Sequence, residues 1–250
     1  MGQKIEETVQ ENLPPPLRGG GSASPKVGSI TVSGIISTTN KERKDNGNLK
    51  ALTENAKLDM AAEAKVKDMF AKQYFEHISP SGTGPGDLAK GEGYEYILIG
   101  ENLALGNFSD NQDLLTAWMN SPGHRANILN TRFSEMGAAA EIGEYEGQKV
   151  WLAVQEFGLP LSSCPAVDPN LATKIEGMKN DIDAKEEALQ AKKKEIENTS
   201  PKSGPEYNSK VEEYNQMVAD YNAEVKEIKL NIDIYNKEVK DFNNCAETSP

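Results

Sequence analysis

The chain has 250 residues, a formal net charge of −12, 37% hydrophobic residues and 26% charged residues. This acidic balance disfavours nucleic acid and anionic lipid surfaces as partners, because both are bound through basic patches. No run of about 18 apolar residues is present, so the sequence predicts no membrane-spanning helix. The first ten residues are polar and lack the apolar core of a signal peptide. The protein is therefore either cytoplasmic or exported by a signal that is absent from this chain.

Residues 1–29 have the composition of a disordered linker. Leu13-Pro14-Pro15-Pro16 favours stiff, extended chain, whereas the glycine-rich and serine-rich residues 19–25 favour flexible chain. We therefore expect little fixed structure before residue 30.

Residues 30–163 are predicted to form one α+β domain, because helical patterns precede a short antiparallel pair of strands. A helix is expected from Ser109 to Trp118, since Ser109 and Gln112 have capping-box spacing. Ser121 is positioned to cap the next short helix, with Pro122 at its first position. The other predicted elements are helices over 35–44 and 53–74, the latter capped by Thr53, and strands over 136–142 and 150–157.

Residues 164–250 carry a seven-residue repeat, which is typical of a coiled coil. Apolar positions alternate spacings of four and three from Tyr207 to Phe242, and a similar pattern precedes the break at 200–205, with Lys185 and Lys192 in two of its positions. Two helices joined by this Pro/Gly loop predict a long antiparallel helical hairpin. The alternative is one amphipathic helix that packs on the globular domain.

The two cysteines lie near the two ends of the predicted hairpin. Antiparallel packing brings Cys164 and Cys245 to the same end, so we predict a disulfide that clasps its base. Two unrelated free thiols are the alternative. A structural disulfide indicates an oxidising compartment, which favours an extracytoplasmic protein, secreted or held at the cell surface.

The chain has only two histidines, and both lie in recognisable motifs. The motifs resemble those of the CAP superfamily, which comprises cysteine-rich secretory, antigen five and pathogenesis-related proteins, and most closely its bacterial branch of SCP-like extracellular proteins. The resemblance implies an α-β-α sandwich, secretion, and a shallow cleft with two histidines and two acids. The matching segments are residues 40–43, 77–82, 100–104, 118–129, 133–137 and 154–158.

Transferred residue by residue, His77 matches the first cleft histidine, Glu101 the first acid and His124 the second histidine. Ser121 stands where eukaryotic members have the second acid, so the four-residue site is incomplete. Two imidazoles and one carboxylate can bind zinc weakly or act as a proton-transfer pair. In a purely structural interpretation, Ser121 caps its helix, His124 donates to a backbone carbonyl, and Glu101 and Asn102 satisfy loop backbone groups.

The favoured hypothesis is a bacterial CAP-domain protein that acts as a binding or interaction module and requires no cofactor. Its cleft would take a small molecule, lipid or glycan through His77, Glu101, Asn102, Ser121 and His124. The hairpin would act as a spacer or bind a protein partner. One alternative is a divalent-metal-dependent hydrolase that uses His77, Glu101 and His124, and another is a structural envelope protein that assembles through the hairpin.

Overall fold

A computed structural model describes residues 10–20, 25–27 and 29–248. These residues divide into a mixed α/β unit that ends at Cys164 and a helical unit that begins at Pro165. The α/β unit contains, within the described residues, strands and helices in the order β1 (Gln10–Asn12), β2 (Leu17–Gly20), α1 (Val32–Asp45), β3 (Thr53–Glu54), α2 (Ala56–Lys72), α3 (Pro85–Gly91), β4 (Tyr96–Asn107), α4 (Asn111–Asn120), α5 (Pro122–Ile128), β5 (Glu135–Tyr145) and β6 (Gln148–Pro160).

These strands form one sheet with the order β1-β4-β6-β5-β3, and β2 also pairs with β4. Strand β6 lies at the centre, antiparallel to both β4 and β5. Its residues 150–159 are buried on both alternating faces, as the apolar run in the sequence predicts. The predicted strands over 136–142 and 150–157 are the inner parts of the longer β5 and β6 hairpin.

Helices cover both faces of the sheet. Helix α2 packs its buried Val66 and Met69 with Leu103 of β4 and Val154 of β6. Neighbouring strand residues point to the opposite face, where Gln155 donates to Thr39 Oγ1 of α1. Asn102 there accepts from Asn127 of α5. The predicted α-β-α sandwich is confirmed.

Three helix starts differ from the sequence-based positions by a few residues. Thr31 caps α1, Asn55 caps α2 and Asp110 caps α4, and each side chain accepts a backbone N–H of the first turn. The expected cap Thr53 instead lies in β3, where it pairs with β5. The Ser109 capping box is also wrong, because Asp113 accepts from the Ser109 backbone and hydroxyl.

The described part of residues 1–29 corrects the predicted linker. Strand β1 pairs in parallel with residues 98–100 of β4, and β2 pairs in parallel with residues 104–107. Main-chain pairing to the edge of a sheet needs no apolar side-chain pattern, so composition alone did not reveal these strands. Residues 1–9, 21–24 and 28 of the predicted linker lie outside the described residues.

The helical unit consists of α6 (Pro169–Asn198) and α7 (Pro205–Thr248), joined by a loop over residues 199–204. Ion pairs join Lys174 to Glu227 at 3.2 Å and Lys192 to Glu213 at 2.5 Å, so the two helices run antiparallel. Lys185, which occupies one of the repeat positions, pairs with Glu224 of the other helix. The apolar contacts involve Leu171, Ile175, Met178 and Ile228, with Ile182, Ile232 and Tyr235 partly buried beside them.

Both cysteines are disulfide-bonded. Because the chain has only two cysteines, Cys164 and Cys245 are bonded to each other, as predicted. No helix among the described residues is both long enough and apolar enough to cross a bilayer.

Candidate functional site

His77 and Glu101 form a buried hydrogen-bonded pair on the face of the sheet that α2 covers. His77 lies in the loop after α2, and Glu101 lies in the middle of β4. His77 Nδ1 is 2.6 Å from Glu101 Oε1, and the two side chains are 9% and 0% exposed. Glu101 Oε2 is buried and makes no hydrogen bond to the described residues. One carboxylate oxygen therefore orients the imidazole and the other is left for a donor.

The second ring nitrogen of His77 bonds the N-terminal segment. Its Nε2 lies 2.5 Å from the carbonyl oxygen of Pro14, which is itself buried. A carbonyl oxygen only accepts, so Nε2 carries a proton and donates it. His77 is therefore held as a hydrogen-bond donor to a peptide carbonyl.

Lys65 of α2 belongs to this site, although the sequence analysis did not select it. Its side chain is fully buried, and Nζ donates to the His77 carbonyl oxygen at 2.5 Å and to the Tyr74 hydroxyl at 3.3 Å. Burial lowers the pKa of Lys65, while the carboxylates of Glu101 and Glu156 act in the opposite direction. The sequence contains one indication of this burial, because Lys65 falls on the apolar face of α2 between Ala62 and Met69.

His124 lies in the first turn of α5 and is 1% exposed. Its Nδ1 is 2.7 Å from Ser121 Oγ. Burial, followed by the charge of His77, lowers the pKa of His124 from 6.5 to about 4, against an opposing backbone hydrogen bond of Leu103. His124 is therefore neutral at physiological pH. We refer to His77, Glu101 and His124 as the histidine site.

Ser121 precedes α5, but its hydroxyl caps none of the backbone N–H groups of that helix. It bonds His124 Nδ1 instead, which corrects the expected capping role.

Asn102 lies next to Glu101 but points to the other face of the sheet. Its amide donates to the His124 carbonyl oxygen at 3.2 Å and to Gln155 at 3.0 Å, and its oxygen accepts from Asn127 at 3.0 Å. Asn102 thus fixes the position of α5 against β4 and does not extend the histidine site.

In the comparison with known families, residues 36–157 match the model of the cysteine-rich secretory protein family, CAP, and this range includes His77, Glu101 and His124. The chain contains a CAP domain. The uncharacterized protein YkwD of Bacillus subtilis is 40% identical over 123 residues, which cover 49% of this chain and 45% of YkwD. The uncharacterized membrane protein YlbC of the same organism is 26% identical over 116 residues, 46% of this chain and 33% of YlbC. The chain thus spans less than half the length of these relatives.

Two solved structures are also similar to the CAP domain. An extracellular protein containing an SCP domain from Bacillus anthracis is 32% identical, with a TM-score of 0.43, over 51% of this chain and 39% of that chain. An outer surface protein of Borrelia burgdorferi is 22% identical, with a TM-score of 0.43, over 50% of this chain and 90% of that chain.

The CAP domain does not present a formed metal site in this conformation. The described residues contain no group of three or more His, Cys, Asp or Glu side chains that could hold a metal ion. Both ring nitrogens of His77 are engaged, one by Glu101 and one by Pro14. The predicted zinc ligands His77, Glu101 and His124 would therefore fit a metal only after His77 is released from Pro14.

Proposed function

We propose that this protein is an extracytoplasmic binding module whose CAP domain holds its ligand by hydrogen bonds at the histidine site. The Cys164–Cys245 disulfide supports the compartment, because structural disulfides persist where the surroundings are oxidising. The hairpin is proposed as the spacer or assembly element of this module.

The observation that carries the proposal is an unsatisfied carboxylate oxygen at the histidine site. Glu101 Oε2 is buried and has no hydrogen-bond partner among the described residues. Buried polar atoms are nearly always paired in folded proteins, since leaving one unpaired costs about 1–3 kcal/mol. A ligand that offers a donor to Glu101 Oε2 would recover this free energy.

Binding is favoured over hydrolysis by the lowered pKa of His124. Ser121 and His124 are within hydrogen-bond distance, as a nucleophile and its base must be. The pKa of His124 is lowered to about 4, however, and a general base works best when its pKa lies near the operating pH.

A retention assay on the intact chain tests this proposal against three ligand classes. Fluorescently labelled protein is mixed with peptidoglycan sacculi, with vesicles of phosphatidylethanolamine and phosphatidylglycerol in equal parts, or with immobilised β-casein as an unfolded polypeptide. We expect saturable retention in one arm, with loss in the His124→Ala variant and without release of a cleaved product. The matched control is Lys202→Ala in the hairpin loop, which should be retained like the wild type.

Two results would overturn the proposal. Retention in no arm, or retention unchanged by His124→Ala, would show that the histidine site binds none of these ligands. Release of a product that stops on chelation of divalent metal would favour the hydrolase instead.

A further inference from the structure

The N-terminal segment, residues 12–19, lies along the edge of β4 as an added strand. Asn12 aligns with Gly100, and Leu17 aligns with Ala104. Between these two aligned pairs the segment has four residues, 13–16, whereas β4 has three, 101–103. The segment therefore bulges where it passes Glu101 to Leu103. The bulge contains three consecutive prolines, which have no N–H to donate to a ladder. The segment is thus held by strand pairing at its ends and by side-chain contacts in between.

Pro14 is the first anchor of the segment. Its carbonyl oxygen accepts from His77 Nε2. Its ring packs against α5 so closely that a Cβ added to Gly123 would lie 2.6 Å from Pro14 Cβ. Asn127 of the same helix donates to the Asn12 carbonyl oxygen at 3.1 Å. The loop after α2 and the start of α5 thus form the two walls of a slot that a proline fills.

Arg18 is the second anchor, four residues after Pro14. Its guanidinium lies over the rings of Phe75 and Tyr145, at 5.4 Å from each centroid, and it donates to the Tyr145 hydroxyl at 3.4 Å. Both rings are buried with the segment in place, and together they form an aromatic clamp for a cation.

Gly106 of β4 allows the backbone of the segment to approach closely. Its φ is +149°, and a Cβ there would lie 1.6 Å from the Gly19 carbonyl oxygen. The absence of a side chain thus makes room for the Gly19 backbone at Gly106 and for the Pro14 ring at Gly123.

We propose that this groove binds an extended segment of another polypeptide, with a proline in the slot and an arginine four residues later in the clamp, and that residues 12–19 occupy it in cis. Strand addition supplies affinity through the main chain, and the two anchors supply specificity. The inference rests on the proposed binding function and names the ligand class.

Two observations favour an exchangeable occupant over a permanent strand. The region matched by the CAP family model begins at residue 36, after the segment. The segment also leaves Glu101 Oε2 without a partner among the described residues. A polypeptide with a polar side chain beside its proline would satisfy this oxygen and displace the segment.

The test uses the full chain with a protease site inserted between Gly20 and Pro25, so that the segment can be released after folding. The probe is a fluorescein-labelled synthetic peptide of residues 10–20, measured by fluorescence anisotropy on cut and uncut protein. We expect saturable binding to the cut protein. If the tethered segment fills the groove more than nine-tenths of the time, the uncut protein should bind more than about tenfold more weakly.

Two sets of variants locate the binding. Gly123→Ala in the cut protein should weaken binding of the peptide by about tenfold or more, because an added Cβ collides with the proline that corresponds to Pro14. Gly91→Ala is the matched control, since a Cβ there meets nothing within 4 Å. A peptide with Arg18→Ala should bind about threefold to tenfold more weakly, by loss of the cation–π contacts.

The inference is overturned if the peptide binds neither form, if it binds both forms equally, or if the cut protein unfolds, as circular dichroism would show. Equal binding to both forms would place the peptide outside the groove, and either of the other two results would make the segment a fixed strand of the fold. Dimers of the uncut chain that exchange segments would assign the groove to a second copy and overturn the assignment to another polypeptide. Retention of the uncut chain in the earlier assay reports on the proposed function separately, so the two ideas can fail independently.

Discussion

Lowering the pH should destabilise the CAP domain through His124. This imidazole is 1% exposed, and its pKa falls from 6.5 to about 4 because burial disfavours the charged ring, with a further contribution from the charge of His77. In the unfolded chain the same side chain titrates near pH 6.5. The folded and unfolded states therefore bind different numbers of protons between these two values.

The sign follows from which state takes up the proton. Above pH 6.5 both states hold a neutral imidazole, and the contribution of His124 to stability is fully present. Between pH 6.5 and about 4 the unfolded state is protonated while the folded state is not, so the free energy of unfolding falls as the pH falls. At about 1.36 kcal/mol for each pKa unit, the loss attributable to His124 is about 3 kcal/mol.

The assay is urea unfolding at neutral pH and at a pH of about 4, in the wild type and in His124→Asn. The two tryptophans of the chain, Trp118 and Trp151, are both buried in the α/β unit, so their fluorescence reports on this unit alone. The wild type should lose about 3 kcal/mol more than the variant, since other titrating groups are common to both. Ser121→Ala is the control, because it keeps the imidazole and should retain the pH dependence. Equal losses in the wild type and in His124→Asn would refute the argument.

Three further predictions concern the buried cation, the disulfide and the metal. Lys65→Met should lower the free energy of unfolding by about 3–5 kcal/mol, because it removes a buried cation that faces buried carboxylates. Lys67 is exposed on the same helix, so Lys67→Met should change the free energy of unfolding by less than about 1 kcal/mol. Equal losses for the two variants in urea unfolding would contradict this reasoning. Replacing Cys164 and Cys245 by serine should cost about 4–5 kcal/mol in the chain-entropy model, so an unchanged stability in chemical denaturation would count against a structural disulfide. Ser121→Glu should bind zinc more tightly than the wild type in calorimetric titration, because position 121 adjoins the His124 ring, and equal affinity would exclude the histidine site as the metal site.

Local sequence patterns determined the architecture of both units. The motifs around His77, Glu101 and His124 predicted the CAP fold, and the seven-residue repeat predicted the paired helices of the hairpin. Such patterns are readable because helix and strand periodicity and short motifs involve residues that are close in sequence. The exact helix starts were less accessible, since several nearby Thr, Asn, Ser and Asp residues compete to cap the same turn.

Only the tertiary structure decided how the histidine site is completed. The pairing of β1 and β2 with β4 is made by main-chain groups of residues far apart in sequence, so no side-chain pattern marks it. Lys65 resembles any helix-surface lysine until packing buries it beside the His77 carbonyl oxygen. The neutral state of His124 likewise depends on burial, which arises only when α5 packs onto the sheet. The sequence supplied the chemical groups of the site, and long-range packing set their partners and their charge.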